Sequence, residues 1–190
     1  FSQGEGLRFR ERHGLPAQQP CALFVGRVAF EKSIDFLIES LALARREVPN
    51  LILLITGEGP AEQALHAQAE ALGLGEAVRF IGYLDRQRDL TDCYAAADCF
   101  VFASRTETQG LVLLEAMAMG LPVVALAAMG TRDILSAGRG CLVPEDDVVE
   151  FGAALVSLMR DPVLRRRLSQ EARQYAGEWA DDRLAAKLAE

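Results

Sequence analysis

Histidine occurs only twice in these 190 residues and tryptophan once. His13 stands in a polar N-terminal stretch and His66 within an expected helix; neither reads as a catalytic base, and each is expected at the surface. The four cysteines, Cys21, Cys93, Cys99 and Cys141, contain no C-x-x-C pair, and three lie among apolar residues of expected strands. That is the pattern of buried, reduced, structural thiols. No apolar run reaches the roughly 18 residues that a membrane-spanning helix needs, and the first residues carry no basic-then-apolar signal pattern. The expected location is the cytosol. A concentrated basic face is missing too: the net charge is −7, which disfavours a nucleic-acid partner. The one basic run, 165–167, falls within a helical pattern and reads as a solvated face.

What the chain does have is a 51% hydrophobic content with charges spread along its length, which describes a globular protein. Its length suits one domain better than two. Short apolar runs at 21–26, 51–56, 77–81, 99–103, 122–126 and 140–143 alternate with amphipathic stretches at 31–48, 60–72, 86–97 and 111–119. Such alternation predicts the α/β class: a single Rossmann-like, doubly wound parallel sheet of about six strands. After Pro144 the pattern is helical only. Glu145, Asp146 and Asp147 suit the exposed amides of one helix start, and Asp161-Pro162 reads as an N-cap with proline at the first position of another. Residues 1–20 are polar and end in Pro16 and Pro20, so they read as an interdomain linker remnant ahead of a domain spanning 21–190.

In an open parallel sheet, ligands bind beyond the carboxyl ends of the strands, so the loops there are the places to search. The first is Gly26-Arg27-Val28-Ala29-Phe30-Glu31-Lys32. A guanidinium, an ammonium and a helix start make a favourable diphosphate site, although two surface cations beside a helix would look the same. The second, Gly57-Glu58-Gly59-Pro60, lacks the third glycine of a dinucleotide fingerprint and reads as a structural turn. The third, Arg79-Phe80-Ile81-Gly82-Tyr83, offers either a frame for a flat base or simply a strand end. The fourth, Ser104-Arg105-Thr106-Glu107-Thr108-Gln109-Gly110-Leu111, leads into a helix bearing Glu115. Its two carboxylates suit vicinal sugar hydroxyls, and its helix-start amides suit a phosphate, but two glutamates at this spacing also arise by chance.

Taken in chain order, the four loops resemble the donor domain of retaining GT-B glycosyltransferases of the group-1, or family-four, type. The resemblance is carried by Gly26, Arg27 and Lys32 as G-R-x-x-x-x-K, the 57–60 turn, Phe80 with Gly82, and Glu107 with Glu115 as E-x7-E. The run Glu115-Ala116-Met117-Ala118-Met119-Gly120-Leu121-Pro122-Val123-Val124 completes it, and the match extends from about residue 21 to the end, through a C-terminal helix bearing Trp179. Thr108-Gln109 departs from the usual glycine or proline followed by phenylalanine; Asp133 stands where glutamate is usual, and Met129-Gly130 replaces a common glycine pair. The variant around Glu107 resembles bacterial enzymes that glycosylate diacylglycerol.

The resemblance implies one half of a GT-B fold, binding a nucleoside-diphosphate sugar. Gly26, Arg27 and Lys32 would hold the diphosphate, while Arg79, Phe80 and Ile81 would lie along the nucleobase. Glu115 would accept from the ribose hydroxyls, and Glu107 would act on the transferred hexose at the reacting centre. Gln109, Gly110, Leu111 and Val112 would meet the sugar and its phosphate. It further implies retention of the anomeric configuration with no cofactor and no metal required. The acceptor, a lipid or glycan, would be bound by a missing N-terminal domain, through which alone the full-length enzyme would contact the inner membrane face. This chain alone would then be inactive. A sugar-nucleotide epimerase or phosphorylase half, or a non-enzymatic Rossmann-like interaction module, are the alternatives.

Overall fold

The computed structural model describes residues 5–85 and 89–189. Six strands, β1 (Cys21–Val25), β2 (Ile52–Thr56), β3 (Val78–Gly82), β4 (Cys99–Phe102), β5 (Val123–Ala125) and β6 (Cys141–Leu142), form one sheet in the order β3-β2-β1-β4-β5-β6. All neighbouring pairs are parallel. The reason lies in the strands themselves: Ile52, Leu53, Leu54, Ile55 and Thr56 are all buried, so both faces must be covered, and crossover helices do that. Among the described residues, eight α-helices do the covering or flank it: α1 (Gly6–Arg12), α2 (Ile34–Ala44), α3 (Glu62–Ala71), α4 (Asp89–Ala96), α5 (Leu111–Ala118), α6 (Thr131–Leu135), α7 (Val148–Arg160) and α8 (Pro162–Ala189). Phe24 stacks with Phe102 at 6.1 Å between ring centroids, and Phe36 of α2 meets Phe151 of α7 edge-on at 5.4 Å.

The two C-terminal helices start as their carboxylates suggest. Asp147 accepts from the amides of Val149 and Glu150 at 2.8 and 3.1 Å, and Asp161 from those of Val163 and Leu164 at 2.9 Å. All four cysteines are free and buried. Burial pushes the thiols of Cys21 and Cys141 up to about 12 and about 11, which keeps them protonated and unreactive.

Three expectations need correction. The stretch expected as a tail holds α1, whose Phe9 is fully buried against the core. Arg10 ties it down, donating to the carbonyls of Ala96 at 2.8 Å, Pro16 at 2.9 Å and Gln19 at 2.7 Å, and pairing with Asp98 at 3.4 Å. The helix expected from residue 31 begins at Ile34, because Phe30–Lys32 forms a 3₁₀ turn and Ser33 then takes the left-handed conformation at φ 52°. His13 is half-buried, its ring 4.2 Å from that of Phe9. The helix expected over 86–97 is seen as Asp89–Ala96, its first three expected residues lying outside the described ones.

Candidate functional site

The strand order reverses between β1 and β4, and the loops leaving their carboxyl ends part there to form a crevice. The loop after β1 is locked to the loop after β2 through backbone alone. Gly26 N–H donates to the Thr56 carbonyl at 3.0 Å and Val28 N–H to that of Glu58 at 3.0 Å. A Cβ on Gly57, which sits at φ 119°, would come 2.0 Å from the Gly26 carbonyl oxygen, so only glycine permits this approach. The 57–60 turn is therefore structural, as its sequence suggests, and what it shapes is the loop bearing Arg27.

Beyond that loop, the 3₁₀ turn delivers Lys32 to the loop after β4. Its Nζ donates to Oε2 of Glu107 at 3.0 Å, with both side chains about one-fifth exposed. The other carboxylate oxygen, Oε1, accepts from the amides of Gln109 and Gly110, both at 3.3 Å. Gly110, at φ 64°, turns the chain into α5, whose unpaired first amides Glu107 covers in part. Burial pushes the Glu107 carboxyl up, but the hydrogen bond from Lys32, the two amides and the Lys32 charge outweigh it and hold the group below its ordinary range. Glu107 thus sits as an anion on the helix-start amides that the sequence suggested for a phosphate. Its own carbonyl accepts from Gly130 N–H at 2.9 Å, and the adjacent Met129 takes the left-handed conformation at φ 45° in the place of a common glycine.

Arg27 lines a separate cleft of about 290 Å³ with Gly26, Gly57, Glu58, Tyr83 and Leu84. Its guanidinium is 4.0 Å from Glu31 and two-thirds exposed, so it is open to a ligand. The strand-end residues divide. Arg79 is exposed and paired with Glu76 at 3.2 Å, and the Phe80 ring packs on His66 of α3 at 4.0 Å. Ile81 is half-buried against the core. None of the three lines the cleft; Tyr83, 72% exposed, and Leu84 do instead. Tyr83 had a signal in the sequence, an aromatic directly after a parallel strand, whereas side-chain alternation turned Phe80 onto the helix layer. Glu115 accepts from the Tyr94 hydroxyl at 3.4 Å and lines a groove of about 430 Å³ with Leu111, Leu114, Arg173 and Trp179. Leu111 and Val112 are half-buried in the first turn of α5. Asp133 is exposed on α6. Among the described residues no cluster of three or more His, Cys, Asp or Glu is placed to hold a metal ion, and no helix is long and apolar enough to cross a membrane.

An all-parallel sheet with crevice-lining cations, carboxylates and a helix start defines a Rossmann-like ligand-binding fold. Residues 7–175 match the profile of the glycosyl transferases group 1, and the chain belongs to that family. It is 33% identical over 190 residues to alpha-D-kanosaminyltransferase of Streptomyces kanamyceticus, covering 97% of this chain and 49% of that protein. It is 34% identical over 192 residues to the GDP-mannose-dependent alpha-(1-6)-phosphatidylinositol monomannoside mannosyltransferase of Mycolicibacterium smegmatis, covering 96% and 50%. The structure of WaaG, a glycosyltransferase involved in lipopolysaccharide biosynthesis, is similar with a TM-score of 0.83 at 28% identity, over 93% of this chain and 48% of that one. The fold is that of the GT-B glycosyltransferases, and the chain spans about half the length of the relatives it matches.

Proposed function

We propose that this chain is the donor-binding domain of a retaining glycosyltransferase that takes a hexose from a nucleoside-diphosphate sugar. The observation that carries the reading is the meeting of the Lys32 ammonium, the Glu107 carboxylate and the Gln109 and Gly110 amides at 3.0–3.3 Å. A diphosphate brought there finds one cation and two aligned N–H groups, the set that offsets negative charge growing on a departing nucleotide. Glu107 must leave the amides to admit it, which frees the carboxylate to face the transferred sugar. The cleft beside Arg27 and Tyr83 takes the nucleoside, with Gly26 and Gly57 allowing close backbone approach. A donor of this chemistry is supported by the name of the Mycolicibacterium relative, which specifies GDP-mannose.

Chemistry of this kind needs neither a metal nor an organic cofactor. The acceptor, a lipid or a glycan, is bound by a domain outside this chain, a reading supported by relatives about twice as long. Transfer is cytoplasmic, with any membrane contact made through that other domain, and the chain by itself binds donor without transferring sugar. Titration calorimetry with UDP, GDP and ADP at millimolar concentration tests the reading. Weak binding of at least one nucleotide is expected; heats indistinguishable from dilution for all three would sink it.

A further inference from the structure

Four consecutive residues of the loop after β4 each reach across to the turn that carries Lys32. Ser104 and Thr106 donate their hydroxyls to the Glu31 carbonyl at 3.2 and 3.4 Å, Glu107 accepts from Lys32, and Arg105 Nη1 donates to Ser33 Oγ at 2.9 Å. Arg105 extends the linkage to the start of α7. Its Nε donates to Asp146 at 2.8 Å, a second guanidinium nitrogen bonds the other oxygen of that carboxylate, and its Cζ lies 5.5 Å over the Phe36 ring. The partner it holds is unusual: Ser33 has φ 52°, ψ 42°, a conformation that disfavours any residue with a Cβ, and it lies immediately after Lys32.

We infer that Arg105 is a positioning residue that sets the Lys32–Glu107 pair by clamping left-handed Ser33 against the start of α7. Asp146 neutralises the guanidinium in place, so Arg105 does not compete with Lys32 for Glu107. The role needs arginine: one planar fork serves the carboxylate bidentately and Ser33 at once while its face lies on Phe36, and an ammonium does not do all three. Arg105 touches no part of the anion cradle itself, so it acts through the geometry of the two loops. The inference rests on the reading of this corner as the donor-diphosphate site, but its first test needs no ligand.

That test is a carboxyl NMR titration of Glu107 in the wild-type chain and in Arg105→Ala, Arg105→Lys and Ser33→Ala, followed by thermal melts and UDP titration. In Arg105→Ala the Glu107 titration moves up toward its ordinary value of 4.5, and UDP affinity falls about tenfold, equivalent to about 1.4 kcal/mol. Arg105→Lys restores less than half of that loss. Ser33→Ala moves both readouts in the same direction by a smaller amount. An Arg105→Ala chain that melts earlier but keeps the wild-type Glu107 titration and UDP affinity overturns the inference. If that variant does not fold, wild-type Glu107 titrations in both Ser33→Ala and Asp146→Asn overturn it as well. If the titration moves while the wild-type chain binds no nucleotide, Arg105 keeps its positioning role and the donor-site reading is what fails.

Discussion

The corner around Lys32 and Glu107 and the cleft around Arg27 and Tyr83 are neighbours built on opposite plans. In the corner both charges are about four-fifths covered and paired with each other, and the loops that carry them are cross-linked residue by residue. In the cleft the backbone is equally fixed, through the Gly26–Thr56 and Val28–Glu58 hydrogen bonds, but its cation is two-thirds exposed and only loosely paired. A surface ion pair of that kind contributes about 0–1 kcal/mol, whereas a charge-assisted hydrogen bond in a covered site is worth about 1.5–3 kcal/mol. The corner is therefore preorganised with its own anion hydrogen-bonded in place, whereas the cleft is preorganised with a cation that its neighbouring carboxylate, Glu31, holds only loosely at 4.0 Å. On the proposed function, a donor exchanges with Glu107 in one and only docks in the other.

The comparison breaks most readily at Lys32. Lys32→Ala removes the cation and strands a covered carboxylate, so nucleoside-diphosphate affinity is expected to fall about 30- to 150-fold, from the loss of about 2–3 kcal/mol. The melting temperature should drop with it. Arg27→Ala should cost about fivefold in affinity with no change in melting, since that side chain is exposed and holds nothing else in place. Equal losses for the two variants would erase the distinction between corner and cleft.

Glu107→Gln sharpens the contrast in the other direction. If the carboxylate competes with the donor phosphate, its neutral replacement binds UDP about threefold more tightly, equivalent to about 0.7 kcal/mol. Weaker UDP binding would mean that Glu107 supports the nucleotide directly. The smallest effect is on acid stability. Glu107 titrates below its ordinary value of 4.5 in the folded chain, so its stabilising contribution is complete above that value and is lost as pH falls through the folded one. Urea melts over that window should show the wild-type chain losing more stability than Glu107→Gln; parallel losses would show that the pairing contributes nothing.

Much of the fold was legible because buried parallel strands are written locally. Each of the six apolar runs became a strand within about one residue of its expected ends, since the covering of both faces forces consecutive apolar residues. The caps at Asp147 and Asp161 were legible for the same reason: an N-cap acts on amides two and three residues ahead. Helix α1 was not, because what holds it on the domain is buried Phe9 and distant partners: Arg10 reaches Ala96, 86 residues away, and Arg12 pairs with Asp89. The pairing of Arg105 with Asp146 was not legible either, because the two are 41 residues apart in sequence with nothing in either neighbourhood to couple them.

By itself, then, the sequence determined the element types, the sheet class and the residue kinds at the ends of the strands, all of which follow from short-range pattern and from backbone groups that must be satisfied locally. It also determined that Lys32, Glu107 and the start of α5 belong to loops at one edge. Only the tertiary structure decided what those groups do to each other: that Glu107 rests on the amides suggested for phosphate, that Phe80 turns away to His66, and that Tyr83 faces the cleft. The Lys32–Glu107 pair spans 75 residues, and contacts at that separation are set by how strands and helices pack in three dimensions, which no local pattern encodes.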